Sequence, residues 1–491
     1  MNFKTIKISL FGLVAIGLTA CASDDGTTAA VTSQTITTAT SISGNGTLGG
    51  SGTIVTTNYN ANVTISGCSS SAPVTLSGLV YIGDGATLTV NSGCTIKASS
   101  SVFSALVILQ GGKIDAQGTS SSPIIWTSDK AAGSRTAQDW GGIVIQGKAP
   151  VNNTAGSTTA TDTEIGTGPY GGTVTNDNSG TMKYNQVNFA GKEIATDQEF
   201  NGLFLAGVGS GTTMDYIQVA NGSDDGVEIF GGNVNVNYLV LFNNQDDAFD
   251  LDEGWIGSAT HLAIDIADKG DNCIEYDGLG ADTDRPSNSV ISNVTCVSDS
   301  DNTKKSILTI KKTGCVTLVN SLFEGFSSQY LAVEQSSVSK DNATLSSALT
   351  FDYGTCDVSA NSVVFADITG KGGTTVSNGT TTTDFTCGNG NSIDDGSDCD
   401  ASTSAHWVAL STLFPGGTTN AAVVSGVLTG ANDATTRAEF VPSSNPGTAA
   451  GATVAHPASG SNVTIGNYNG AVDQANASAW LLDSWTDFAY N

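Results

Sequence analysis

An all-β chain wound as a right-handed parallel β-helix is the fold this sequence predicts, and three observations predict it. First, the composition suits short strands and tight corners. Of 491 residues 59 are glycine and only 13% are charged. The helix formers Lys, Arg and Met are scarce, with 18 Lys plus Arg and 3 Met, while β-branched and turn-forming residues abound. Second, apolar residues recur at one interval. Ile217, Leu239 and Leu262 stand 22 and 23 residues apart, as do Val219, Leu241 and Ile264, and Val227, Phe249 and Ile274 follow with steps of 22 and 25. Ladders with one shared period mean coils that stack. A period near 22, cut by Gly, Asn and Asp corners, leaves room for about three short strands per coil. Third, the acids keep the same interval, in "NGSDDGVEIFGG" (221–232) and "NNQDDAFDLDEGW" (243–255).

Taken in order along the chain, "MNFKTIK" is a basic start and Ile8 to Gly17 an apolar run too short to span a bilayer. Leu18-Thr19-Ala20-Cys21 follows and resembles the lipobox of bacterial lipoproteins. That resemblance implies a signal peptide over 1–20, with Cys21 acylated on sulfur and on the new amine. Several acyl chains hold a protein firmly to a membrane. Residue 22 is Ala rather than Asp, so the inner-membrane retention signal is absent and the outer membrane is the expected location. Residues 21–45 are polar and Thr-rich and read as a flexible tether.

The β-helix is expected over 46–345. Its opening coils are "LVYIGDGATLTVNSGCTIKA" (79–98) and "ALVILQGGKIDAQGTSSSPIIWTSD" (105–129), which alternate apolar and polar residues between glycine corners. "WGGIVIQGKAP" (140–150) and "NGLFLAGVGSGTTMDYIQV" (201–219) read as equivalent turns. The region between them, which includes "YGGTVTNDNSG", is expected to be a large loop folded against the side. Long loops of this kind often carry function. Residues 346–491 read as disulfide-bearing coils and a cap. Trp480, Leu481, Leu482, Trp485 and Phe488 are expected to close the C-terminal side or pack along the rod, because an open solenoid end must be covered. A contact with the outer membrane is the other use for that aromatic end.

Eight cysteines remain after Cys21, an even number that suggests disulfides in an exported protein. Cys68 with Cys94 and Cys387 with Cys399 are the expected pairs; Cys273, Cys296, Cys315 and Cys356 are left unassigned.

Residues one period apart sit directly above one another, about 4.8 Å away. Asp225, Asp247 and Asn272 therefore form one column, and Glu228, Asp250 and Glu275 a second. Carboxylates so close must be solvated, share a proton or hold a cation. Calcium takes six to eight oxygen ligands and is the expected ion, with Asp225, Glu228, Asp247, Asp250 and Glu275 as candidate ligands. The leading reading is that Asp and Asn occupy these corners because they tolerate tight turns and bond their own backbone, with a cation site as the alternative. A second acidic stretch, Cys387 to Cys399, fits a disulfide-closed turn better than a calcium loop.

Several segments, "DWGGIVIQGKAP", "YGGTVTNDNSGTMKY", "NGLFLAGVGSGTTMDYIQVANGSDDGVEIFGG" and "DDAFDLDEGWIG", resemble one family of bacterial β-helix lipoproteins with a pectin-lyase-like fold and uncharacterised function. The resemblance is closest over residues 78–278 and implies fold and placement rather than activity. The polygalacturonases share the β-helix. Resemblance to them implies general acid and base roles for Asp225, Asp246 and Asp247 in inverting hydrolysis of an acidic polysaccharide. Their Gly-His-Gly motif has no counterpart here, and only Lys311 offers the basic partner. The leading reading is therefore non-enzymatic: a lipid-anchored rod for adhesion, glycan contact or scaffolding at the envelope. Its partners are the membrane through the anchor and a polysaccharide or envelope protein. Trp140, Tyr170 and Trp255 are the candidates for stacking on sugar rings. The formal charge of −28 repels nucleic acid.

Overall fold

The computed structural model describes residues 32–324 with breaks at 51–53, 154–156, 197, 267–269, 279–286, 299–305 and 312–314. Beyond these come separate strands as far as 464 and single positions to 487. The expected leader, Cys21, Cys387, Cys399, Trp480, Leu482 and Phe488 lie outside the described residues.

The chain is a parallel β-helix. A first sheet takes one strand from each coil, running through Leu79–Ile82, Ala105–Ile108, Ile143–Gln146, Leu203–Ala206, Val227–Phe230, Phe249–Asp252, Asn272–Asp277 and Ser306–Lys311. A second sheet takes the rest of each coil. Early coils give it two short strands, as in Val63–Ser66 and Val74–Ser77, and later coils one long strand, as in Thr213–Ala220. The register is that read from the period. Ile217 pairs with Leu239 and Leu239 with Leu262; Val227 pairs with Phe249 and Phe249 with Ile274. These side chains are fully buried and form a continuous core.

The long strands bend at one residue in the left-handed region. Tyr184, Tyr216, Tyr238 and His261 have φ of 52°, 57°, 59° and 62°, and Asn293 and Asn320 continue the column. Asparagine tolerates this conformation because its amide bonds locally. The aromatic residues instead stack, with ring centroids 4.4, 4.3 and 4.6 Å apart up the column. Three strands per coil are thus preserved, with the middle corner reduced to one residue.

Three boundaries differ from expectation. The stack starts inside the expected tether: Thr32–Ile36 pairs with Ile54–Tyr59 and Thr40–Ser43 with Val63–Ser66. The β-branched Thr and Ile of these strands have enough β propensity to add a first coil once the next coil offers an open edge. The loop between the two turns ends at 179, because Gly180–Asn188 is a strand of the second sheet. Gly180, at φ 114°, makes this entry: an added Cβ would lie 1.8 Å from the Ile114 carbonyl oxygen. The stack also passes residue 345, since Val363–Ala366 pairs in parallel with Leu322–Glu324 and Ala421–Val424 lies on it in turn.

The remaining excursion, 147–179, folds against the outside of the first sheet. Val151, Ile165 and Tyr170 cover the outward side chains Val144, Phe204, Ala206 and Phe230 in a second apolar cluster. The described positions of the C-terminal segment lie on the outside of the second sheet, which for Trp485 is the second of the two placements expected. Gly466 is held by Asn293 and Asn320, Ala471 by Thr295, and Asp487 by Gln218. Gln186 donates to the Trp485 carbonyl, and the buried Trp485 ring meets Tyr184 and Tyr216 edge-on.

Two disulfides close among the described residues. Cys68 joins Cys94 across neighbouring coils, and Cys273 joins Cys296 through the core, linking the two sheets. The second pair was left unassigned by the sequence, because residues 23 apart on a solenoid face each other only once the coil's width is known.

Candidate functional site

The outward face of the first sheet changes character along the rod. In register up one column stand Phe204, Glu228, Asp250, Glu275 and Thr309. The excursion covers the apolar part and reaches the nearest acids, with Glu164 beside Glu228 and Tyr170 bonded to Glu253.

The Asp225 column lies at the corner leading into this sheet. Asp225 Oδ1 accepts the N–H of Asp247 at 2.9 Å, and Asp247 Oδ1 accepts the N–H of Asn272 at 2.7 Å. Each carboxylate ties its coil to the next, so these acids bond the backbone of a neighbouring coil rather than their own, which corrects the local role expected of them. Asn201 buttresses the lowest step, accepting from Asp225 N–H and donating to Glu228 Oε2 at 2.5 Å.

These bonds do not exhaust the acids. Carboxylate oxygens of Asp224, Asp225 and Asp246 lie within 4.8 Å of one another, as do those of Asp225, Glu228 and Asp250, and those of Asp247, Asp250 and Glu275. The three groups overlap at Asp225 and Asp250 and form one continuous run. Glu164 from the excursion reaches hydrogen-bonding distance of Glu228, and Glu275 of Asp247. Burial, then repulsion from neighbouring acids, holds Asp225, Glu228 and Asp247 well above the usual carboxylate range. The same causes push Asp224 up to about 8. Burial pushes Glu253 up to about 7 despite its hydrogen bond from Tyr170. A face of this kind takes up protons or a hard cation. The 4.8 Å limit is twice a calcium–oxygen bond of about 2.4 Å, so each group fits a single ion, and every donor is oxygen, as calcium prefers.

The expected hydrolase set is brought together only in part: Asp225, Asp246 and Asp247 share the acidic run, and Lys311 does not. An inverting pair stands about 6.5–9.5 Å apart to admit water, whereas Asp225 and Asp246 lie within 4.8 Å. Asp225 and Asp247 are buried and engaged with backbone. Lys311 pairs in register with Asp277, three coils up and five positions along from Asp225's column. At strand spacings that is about 20 Å away.

The expected stacking platforms are also corrected. Trp140 and Trp255 are wholly buried and Tyr170 is 3% exposed. Trp140 Nε1 donates to the Asn188 carbonyl, Trp255 Nε1 to the Val234 carbonyl, and Tyr170 Oη to Glu253 Oε2 at 2.8 Å. Trp140 and Trp255 are part of the main core, and Tyr170 fills space under the excursion, each with its one polar atom bonded. The column from Tyr184 to His261 was missed by sequence reasoning. The 22-residue spacing of Tyr216 and Tyr238 was its one visible sign.

A family model described as a pectate-lyase-like beta helix domain matches residues 57–409, over two thirds of the chain. No curated protein and no solved structure matches the sequence.

Proposed function

The chain belongs to the pectate-lyase-like β-helix family, and from that premise we propose that it is a non-enzymatic binding rod, anchored by lipid at Cys21 to a bacterial outer membrane. Its working surface is the acidic face of the first sheet, and its partner is a polysaccharide or envelope protein engaged through calcium. The observation that carries this reading is the run of three overlapping carboxylate groups beside the excursion. Carboxylates raised by crowding gain most from a cation, because it removes their mutual repulsion. The lipobox-like Leu18-Thr19-Ala20-Cys21 and the apolar leader support the anchor. The backbone engagement of Asp225 and Asp247 supports a rod that binds without turning its ligand over.

Calorimetry on the mature protein tests it. Calcium is expected to bind and to raise Tm by a few degrees when in hundredfold excess over Kd. Asp250→Asn, which touches two of the three groups, is expected to weaken calcium binding at least tenfold. Retention on a polysaccharide panel is expected to need calcium and to yield no shortened product. Calcium-independent Tm and retention, or product release, overturns the reading.

A further inference from the structure

The lowest coil of the rod presents an open end. Thr32–Ile36 pairs with Ile54–Tyr59, Thr40–Ser43 with Val63–Ser66 and Thr47–Gly49 with Val74–Ser77; among the described residues none of these three strands has a second neighbour. Successive residues of a strand turn their N–H and C=O groups to opposite sides. Asn60 N–H donates to the Ile36 carbonyl and Thr40 N–H to the Asn62 carbonyl, so Thr35 and Ser41 turn their backbone groups to the open side. Both side chains are exposed, while Ile42 and Leu48 fix the coil to the core.

Charge is the second observation. Natural proteins blunt open edges with charged side chains or proline. This edge carries neither over residues 32–49, and no charged residue occurs between Asp25 and Asp84 in a chain of formal charge −28. The acids sit further up: Glu228 stands six strands above Thr32–Ile36 in the first sheet. At strand spacing that is about 29 Å.

We infer that this end is an interface and that its partner is the first coil of a second copy, joined base to base. In the anchored reading, on which this assignment rests, the leader is removed and residues 21–31 precede the coil. They make half of a 22-residue period, too few to lay a further coil beneath all three strands. A second copy brings three matching edges. A two-fold axis across the joint sets Thr32–Ile36 antiparallel to its own copy, so one surface serves both partners. The two acidic faces then stand about 60 Å apart, far beyond the ~8 Å over which exposed charges act at physiological salt. Residues 21–31 span at most about 40 Å, which keeps both lipid anchors near the joint. A joined pair therefore lies along the membrane, held at its middle.

The test uses the mature chain with Cys21→Ser, in chelator, so that neither acyl chains nor calcium can associate the copies. Sedimentation is expected to show a monomer–dimer equilibrium, and small-angle scattering a maximum dimension close to doubled in the dimer. Thr35→Pro removes an N–H that faces away from the coil above. It is expected to keep the far-ultraviolet dichroism and to weaken association about tenfold or more, because the pair loses that bond twice. Thr35→Lys leaves the backbone intact, sets two ammonium groups at one joint and is expected to weaken association likewise. Thr35→Val is expected to preserve it. A monomer at every concentration, which leaves the edge to residues 21–31 or to another partner, overturns the assignment. So does a dimer of unchanged length, or one indifferent to both Thr35→Pro and Thr35→Lys. Calcium binding by the acidic face is measured separately, so either reading can fail while the other stands.

Discussion

Asp247 holds two roles in one side chain. Its Oδ1 caps the N–H of Asn272, and its charge is squeezed between Glu275 and Asp250. Substitution separates them. Asp247→Ala removes the acceptor and is expected to cost about 1–3 kcal/mol in a denaturant titration. Asp247→Asn keeps an acceptor and removes a buried charge, so calcium-free protein is expected to be as stable as the parent or more so. The left-handed aromatic column gives a second residue-scale prediction. A non-glycine residue there costs about 1–3 kcal/mol, offset by the stacked rings. Tyr216 stacks on Tyr184 and Tyr238 and meets Trp485, so Tyr216→Ala is expected to lower stability by about 2–4 kcal/mol by the same titration. The acid spacing was legible in the sequence because one period places side chains in columns. The left-handed corner was not, since nothing in a tyrosine announces positive φ. Nor was the burial of Trp140 and Trp255, since a ring outside the apolar ladders does not itself say that it turns into the core.

Strands were legible where apolar residues repeat, and less so where they do not. Gly180–Asn188 carries Met182 and Val187 as its only fully buried apolar side chains, with Asn185 buried between them and bonded to Trp126 and Ala116. A buried asparagine broke the pattern, and the strand was read as loop. The first coil escaped for a related reason: Thr32–Ile36 and Thr40–Ser43 are mostly Thr and Ser, whose composition also suits a tether. The cross-core disulfide is testable at this scale. Joint replacement of Cys273 and Cys296 by Ala is expected to cost about 2–5 kcal/mol, read from the shift in the unfolding midpoint, without changing far-ultraviolet dichroism at low temperature. A Cys68–Cys94 replacement serves as the comparison.

For the whole molecule, the raised acids set how stability changes with pH. Glu253 at about 7 and Asp224 at about 8 bind protons in the fold that the unfolded chain has already released. Their contribution is full below the unfolded carboxylate range and is lost as pH rises through the folded values. His261 acts in the other direction. Burial lowers it to about 4, so its contribution is present above the ordinary histidine value and lost as pH falls. In chelator, Tm is expected to decline between pH 6.5 and 8.5, and Asp224→Asn to flatten that decline. A flat or rising profile in the parent excludes the assignment. The solenoid, its register and its acidic columns could be read from one period. The coverings laid on it could not, because the excursion and the C-terminal segment have no period to read.

That last segment changes how the rod can come apart. Stacked coils touch only their neighbours, so an unguarded stack peels from its end one turn at a time. Here a strip fixed by Asn320 and Asn293 above is fixed again by Gln218 and Gln186 several coils below. Fraying at the top must strip this clasp from the lower turns as well, which joins distant turns into one cooperative unit. The clasp also follows the lower turns in order of synthesis, so those turns are fastened only once this later segment has been made.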